Sequence, residues 1–558
     1  MHWIDWLVLA TTILFISIYG IWKTRGIKDN LDYLGAQKTT PWWAVGLSIM
    51  ATQASAITFI STPGMGYESG LRFIQFYFGL PLAMVIIATA FVPVYHKLKV
   101  LTAFEFLENR FDLNTRLLTA FLFLVQRGLA AGITIYAPSI ILSKLLGMPL
   151  YLNILVIGML VIVYTVFGGT EAVTQTHKQQ MAVIFVGLII AFGFLITSIL
   201  PHLGWSDMME FASAHGRLDA IDTKFDLGTR YNVWSGLIAG TFLMLSYFGT
   251  DQSQVQRYLS GKSVREIRVG LYFNAILKIP MQAFILFLGI MVFVFYQFNK
   301  PPLHFDQMAI DHIEQGQFSD ELKNIEEKQS TLFIEKQLAI KADFKGYLNT
   351  KDNFLIREKE LHTEVNDLII KSGYASQVKE ESDYVFITYV LDYLPVGLIG
   401  LLMAVIFSAA MSSTSAELNA LGTTTVVDFH KRLTGRSSLK TSRFYTAAWG
   451  VLAIIFALIA QFMDNLVEAV NILGSLFYGT VLGIFLVAFY MKKIGGKSVI
   501  LAALISEAVV LFLFFADEMI IEWLGTNIEF LWYNLIGCMF VMFLAWIFQM
   551  TLFRSSRS

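Results

Sequence analysis

The chain has 558 residues, of which 56% are hydrophobic, 14% aromatic and 15% charged, with a formal net charge of −1. Soluble domains carry about 25% charged residues, and here the apolar residues come in long blocks, so an ordinary soluble globule is excluded and an all-α polytopic membrane protein is expected. The near-zero charge offers nothing to a nucleic-acid partner, and the single cysteine, Cys538, excludes an intrachain disulfide or a cysteine-based metal cluster.

A crossing needs about 20 apolar residues. By that measure thirteen spans are expected, near 3–22, 42–66, 75–95, 115–146, 150–168, 180–200, 233–257, 269–297, 386–417, 443–463, 465–491, 498–516 and 531–553. The first has no basic n-region and no small-residue cleavage site, so it reads as a retained helix. Basic residues cluster in alternate loops. Lys23, Arg25, Lys28 and Lys38 follow span one, and His96, Lys97, Lys99, Arg110 and Arg116 follow span three. Lys262, Arg265 and Arg268 follow span seven; Lys431, Arg432, Arg436, Lys440 and Arg443 follow span nine. Lys492, Lys493 and Lys497 follow span eleven, and Arg554 and Arg557 close the chain. Positive loops stay cytoplasmic, which puts the N-terminus outside and the C-terminus inside, in a plasma (inner) membrane.

Span two holds Ser48, Thr52, Gln53, Ser55, Thr58, Ser61 and Thr62, then Pro63, Gly64 and Gly66. Small and polar residues at membrane depth let a helix unwind and turn its carbonyl oxygens toward a cation. Span four holds Arg127, in Val125-Gln126-Arg127-Gly128. A guanidinium is costly in lipid and must face a partner or a cavity. Two roles are open: a structural ion pair with Asp251 or Glu417, and a bidentate clamp for a substrate carboxylate. Glu171, His177 and Lys178, between spans five and six, read as a solvated cytoplasmic turn. Span seven is interrupted like span two, by Ser235, Gly236, Gly240, Thr241, Ser246, Gly249, Thr250, Asp251 and Gln252. Two broken helices five spans apart suggest two inverted five-helix repeats with a binding site at the breaks; close helix packing is the bland account of the same small residues.

From Asn299 to Asp383 the chain carries 11 Lys/Arg against 17 Asp/Glu. Apolar residues recur there at helical spacing, in Leu332, Phe333, Leu338 and Ile340 and in Phe354, Leu355, Leu361, Val365, Leu368 and Ile369. A charged helical pair outside the membrane is expected: a solvated appendage, or a docking site for an external partner. Span nine contains Ala409-Ala410-Met411-Ser412-Ser413-Thr414-Ser415-Ala416-Glu417. Its hydroxyls can bond back to their own helix. Alternatively, the Ser412 and Ser413 hydroxyls and the Ala409 carbonyl, with the carbonyls of Ala51 and Ala54, would form a neutral five-oxygen cage for Na⁺. Without a carboxylate such a cage binds weakly and reversibly, as a transport cycle requires. Asp428, His430 and Lys431 read as a loop cap.

Widely separated motifs carry a resemblance. They are Trp42-Trp43-Ala44-Val45-Gly46 opening span two, Gly168-Gly169 after span five, Gln252 with Gln256-Arg257 closing span seven, Lys278 in span eight, and Ala409, Ser412, Ser413, Asn419 and Asp428 around span nine. In order and spacing, over about 450 residues, the chain resembles the sodium/solute symporter family, whose fold is like that of the bacterial leucine transporter. The resemblance implies a core of five plus five inverted helices with two broken ones. It places the family's main sodium site on Ala51, Ala54, Ala409, Ser412 and Ser413. Its substrate wall falls on Gln53, Ser55 and Thr58, with Phe76 and Tyr77 from span three. Tyr247 stands where sugar-transporting members keep an inner aromatic gate, and Lys278 matches a lysine beside the sugar. Asn471 falls near a gate in span eleven. In sialic acid symporters of this family an arginine in the span of Arg127 binds the acid.

Two departures shape the expectation. His177 stands where members with a second sodium site keep an Asp, and Ala416 replaces a hydroxyl used by some of those sites, so one Na⁺ per cycle is expected. Tyr77 replaces the Glu or Gln that grips sugar hydroxyls. The resemblance therefore implies a sodium-driven symporter of a small carboxylate such as sialic acid, a sugar acid or a vitamin. The alternatives are a neutral-sugar symporter and a transporter-like sensor acting through a partner. The chain stops shortly after span thirteen, so no fused signalling domain is expected, and no metal cluster or serine–histidine pair points to an enzyme. The expected organisation is a peripheral helix and loop (1–41), the first repeat (42–200), an external loop (201–232), the second repeat (233–491) containing the insertion 299–383, and two peripheral helices (492–558).

Overall fold

The computed structural model describes residues 1–23, 29–35, 39–146, 148–374, 381–460 and 466–553. Arg25, Lys28, Lys38, Arg554 and Arg557 lie outside these residues, as do 375–380 of the insertion and the junction 461–465. The described chain is helical, with one isolated β-bridge, between Thr40 and Gly261. The principal helices are α1 (Trp3–Lys23), α2 (Trp42–Gln53), α3 (Ala56–Ser69), α4 (80–98), α5 (Glu105–Arg110), α6 (Leu113–Leu146), α7 (Leu150–Ile199), α8 (Trp205–Ala214), α9 (Gly240–Gly249) and α10 (Gln252–Leu259). They continue as α11 (Val264–Tyr296), α12 (Gln307–Glu314), α13 (Ser319–Ala342), α14 (Phe344–Lys371), α15 (Ser382–Tyr393), α16 (Leu398–Thr424), α17 (Leu439–Ala460), α18 (Leu466–Tyr490), α19 (Gly496–Phe515) and α20 (Leu531–Thr551).

Ten helices among the described residues are long and apolar enough to cross a membrane. Two of them, continuous over 43 and 50 residues, are about twice what a 30 Å hydrocarbon core needs at 1.5 Å per residue. The first is divided between α3 and α4 by a tight turn at Gly70–Tyr77, opened by Gly70 at φ +70°. The second, α7, is divided at Gly169, with φ +57° and ψ −164°. The Tyr164 hydroxyl there meets Thr176, twelve residues on, a contact that an unbroken rod would hold about 18 Å apart. Counting both halves of each, and the interrupted stretch 235–259, the thirteen expected crossings are accommodated.

Packing follows an inverted repeat. The first broken helix packs on the eighth span (α2 and α3 on α11), and the second broken helix packs on the third (α9 on α4). Ser48 of α2 touches His177 of the sixth span at 2.8 Å, and Ser246 of α9 donates to the Tyr478 carbonyl of the eleventh at 2.7 Å. Backbones meet through glycine. A Cβ on Gly64 would lie 1.8 Å from the Ser382 carbonyl oxygen, and one on Gly289 would lie 1.8 Å from that of Pro63. These two positions hold α3 against α15 and α11, the small-residue contact typical of membrane helices.

Three expectations need correction. Span nine is not one rod from 386 to 417: it is split into α15 and α16 at Pro395 and Gly397, the latter at φ +90°. The loop 201–232 contains a helix, α8, with Met208 and Phe211 buried. Asp428 is not a loop cap. It is buried, and it accepts from Arg116 at 2.7 Å and from Thr102 at 2.8 Å. Arg116 also binds Glu108 at 2.7 Å. The insertion is a helical hairpin as expected, α13 against α14. Leu322, Ile325, Val365, Leu368 and Ile369 form a small core with Ile313 of α12, whereas Leu338 is 64% exposed.

Candidate functional site

The break in the first broken helix is local and complete. Ala54 still donates to the Met50 carbonyl at 2.8 Å, but its own φ of −82° and ψ of 78° leave the helix, and Ser55 is extended before α3 begins. The final carbonyls of α2 are thereby released from helical partners. Against them stands the middle of α16. The Ser412 hydroxyl donates to the Ala51 carbonyl at 2.9 Å and lies 2.9 Å from that of Ala409, while Ser413 lies 3.1 Å from the Ala409 oxygen. Ala51, Ala54, Ala409, Ser412 and Ser413 are all buried. The structure thus brings Ala51, Ala409, Ser412 and Ser413 together, with Ala54 at the break itself, and their oxygens are neutral and hard, a donor set suited to a small alkali cation.

His177 departs from expectation. It is fully buried rather than part of a solvated turn, bridging Ser48 Oγ (2.8 Å) and the Ser412 carbonyl (3.3 Å). The imidazole thus supports the Ser412 backbone from the position where the resemblance implies an Asp in members with a second sodium site.

A cavity of about 110 Å³ opens beside the break. Gln53, Ser55, Thr58, Phe76, Tyr77, Arg127, Tyr247 and Ser413 line it, so seven of the eight residues expected to bind substrate share it with Ser413, a serine expected to bind sodium. Asn471 lines it too. Lys278 is the exception. It is buried behind Tyr77, its ammonium 5.6 Å from the ring centre and without a hydrogen-bond partner among the described residues. Phe73 stacks on Phe76 at 5.4 Å and meets Tyr77 edge-on, building an aromatic wall. The Gln53 amide oxygen faces no donor.

Arg127 is the most constrained side chain of the site. Its Nε donates to Asp251 at 3.0 Å, one terminal nitrogen donates to Glu417 at 3.0 Å, and the other meets both Asp251 and the Tyr478 hydroxyl. Four of the five guanidinium N–H groups are therefore taken. The bidentate grip expected for a substrate is not free; a single N–H remains. Arg127, Asp251 and Glu417 are all at most 3% exposed. The two acids are fixed in turn. Asp251 caps α10 by accepting from Ser253 N at 2.8 Å, and Glu417 accepts from Thr134 at 2.8 Å. Asp251 and Glu417 were the two partners weighed from sequence, whereas Tyr478 and Thr134 were missed. Tyr478 sits in no motif, and Thr134 is one hydroxyl in an apolar span.

A model of the sodium:solute symporter family matches residues 33–312 and 366–506. Among curated proteins, the human sodium/iodide cotransporter is 30% identical over 304 residues, which is 54% of this chain and 46% of that protein. Human sodium-coupled monocarboxylate transporter 1 is 26% identical over 488 residues, 86% of this chain and 68% of that protein. The chain thus spans about half of the first relative and about two thirds of the second. A solved structure described as a substrate-bound, outward-open Na⁺-coupled sialic acid symporter superposes with a TM-score of 0.74 at 22% identity, covering 98% of this chain and 97% of that one. That likeness establishes the fold.

Proposed function

This chain belongs to the sodium:solute symporter family, a family of transport proteins rather than enzymes, and from that premise we propose that it couples entry of one Na⁺ per cycle to entry of a small carboxylate. The observation that carries this reading is the shared residue. Ser413 belongs to the oxygen cluster at the helix break and also lines the cavity, so ion and solute would meet across one side chain. Sodium on Ala51, Ala54, Ala409, Ser412 and Ser413 would tie α2 to α16. A ligand shifts a conformational equilibrium only through its different affinity for the two states. The cage draws ligands from two separate helices, so its affinity changes whenever they part.

Size and charge narrow the solute. Binding sites for drug-sized ligands measure roughly 300–1,000 Å³, and the cavity here is about 110 Å³. That favours a short-chain carboxylate over a sugar acid, in keeping with the sodium-coupled monocarboxylate transporters among its relatives. The solute carboxylate would take the last N–H of Arg127, and a solute hydroxyl would donate to the open oxygen of Gln53. Tyr247, 5.4 Å from the guanidinium carbon, would close the inner side. The occupation of four of the five Arg127 N–H groups by Asp251, Glu417 and Tyr478 favours one other reading, a neutral solute.

The test is uptake into proteoliposomes of lactate and of its amide, with and without a sodium gradient. Ser413→Ala is expected to raise the sodium concentration for half-maximal lactate uptake by about tenfold, the loss of roughly one hydrogen-bond-strength ligand. Unchanged sodium dependence removes Ser413 from the ion site, and equal uptake of acid and amide selects the neutral solute.

A further inference from the structure

A second and larger cavity, of about 590 Å³, lies where the insertion meets the bundle. It shares no lining residue with the central cavity. Its walls come from the tip of α3, the end of α11, the loop at Arg217 and the facing sides of α13 and α14. Most of that hairpin falls in the 313–365 gap between the two stretches matched by the family model, so one wall of the cavity comes from outside the matched stretches and the other from within them.

Its charges are mostly settled in pairs. Lys336 binds Glu358 at 2.5 Å. Glu381 binds His362 and accepts from the Phe305 amide at 2.7 Å. Arg217 is different. Its guanidinium lies 4.6 Å over the Phe293 ring, its Nε is buried without an acceptor, and it has no ion-pair partner among the described residues. Glu68, also in the lining, attracts it only at longer range. The Tyr296 hydroxyl is likewise buried, without a hydrogen-bond partner among the described residues. The space therefore offers a guanidinium outside any ion pair among the described residues, with the Tyr296 hydroxyl as a further donor, beside an apolar wall that includes Phe293 and Leu332. Buried polar groups are normally satisfied, and the volume falls in the usual range of small-molecule sites.

We infer that this cavity binds an amphipathic organic anion, its carboxylate on Arg217 and its apolar body between α11 and the insertion hairpin. The site is regulatory rather than part of the transport path, because its occupant would brace α3. Tyr67 at the α3 tip already packs edge-on against Phe293 at 5.7 Å and Phe305 at 5.5 Å. An anion wedged beside these rings would tie the second half of the broken helix to α11 and the hairpin, and so would favour one arrangement of the gate.

The probe is phenylbutyrate, with its neutral amide as control, added to the purified full chain in sodium-free buffer. Phenylbutyrate is expected to raise the melting temperature of the wild type and of Tyr77→Ala, which is altered only in the central cavity. Arg217→Gln should weaken its apparent affinity by about tenfold or more, the cost of one charge-assisted contact, and the amide should give no shift even on the wild type. An undiminished shift in Arg217→Gln, an equal shift with the amide, loss of the shift in Tyr77→Ala, or no shift with phenylbutyrate at all would each overturn the assignment. The amide arm is read on unmutated protein, so it decides the matter even where a variant fails to fold.

Discussion

At the residue scale the Arg127 cluster is where burial and charge are most nearly in conflict. One guanidinium is shared by two carboxylates and a phenol inside the bundle. Arg127→Ala would leave Asp251 and Glu417 without a cation, and removing one partner of a buried pair costs about 3–5 kcal/mol. We expect a lowered melting temperature and no uptake. Adding Asp251→Asn and Glu417→Gln should restore the melting temperature without restoring uptake. Recovery of both would relegate the cluster to scaffolding. The cluster was half visible in the sequence: a lone arginine in an apolar span demands a partner, and Asp251 and Glu417 were the intramembrane acids at hand. That both bind it at once depends on three helices meeting, which no single-chain pattern records. His177 and Asp428 were misread for the same reason. Each sits in a polar stretch that looks solvated, and only the packing of neighbouring helices shows it inside.

At the element scale the breaks were the legible part. Span two is interrupted where Gln53, Ser55 and Thr58 crowd the middle of an apolar run, and α2 ends at Gln53. The split between α15 and α16 was not legible, because hydropathy counts Pro395 and Gly397 as a brief pause in one long apolar block. Close packing holds the released second half, α3, in place. Gly289→Ala would set a Cβ 1.8 Å from the Pro63 carbonyl, a backbone atom that cannot rotate away. Overpacking of this kind costs about 1–3 kcal/mol, so we expect reduced thermal stability and reduced uptake. Gly193→Ala, where a Cβ meets nothing within 4 Å, should be silent in both assays. A tolerated Gly289→Ala would mean that α3 and α11 are free to separate.

At the scale of the whole molecule the insertion is fastened to the bundle by titratable groups. His362 is held above its ordinary value of 6.5 by its hydrogen bond to Glu381, with burial opposing. Burial pushes Glu381 up, but His362, His304 and the Phe305 amide together outweigh it and hold the carboxyl below 4.5. The signs run opposite ways. The histidine's contribution is complete below pH 6.5 and is lost as pH rises through its raised value; the carboxylate's is present above 4.5 and is lost as pH falls through its lowered one. The fastening should therefore be firmest between these limits. Amide exchange in 344–371, corrected for its intrinsic pH dependence, should accelerate from pH 6.5 upward. His362→Gln should remove that acceleration; an unaltered profile would show that the hairpin is held by its apolar core alone.

One hydroxyl also bears on the journey that carries no cargo. Any coupled carrier must reset with its ion seat bare, and naked carbonyls sealed from water would each cost about 1–3 kcal/mol. Ser412 donates its proton to the Ala51 oxygen, so one carbonyl of the proposed seat is satisfied from within the protein. If Ala51 and Ser412 hold the ion as proposed, that hydrogen bond must give way whenever the ion enters, and its strength sets part of the affinity of the site.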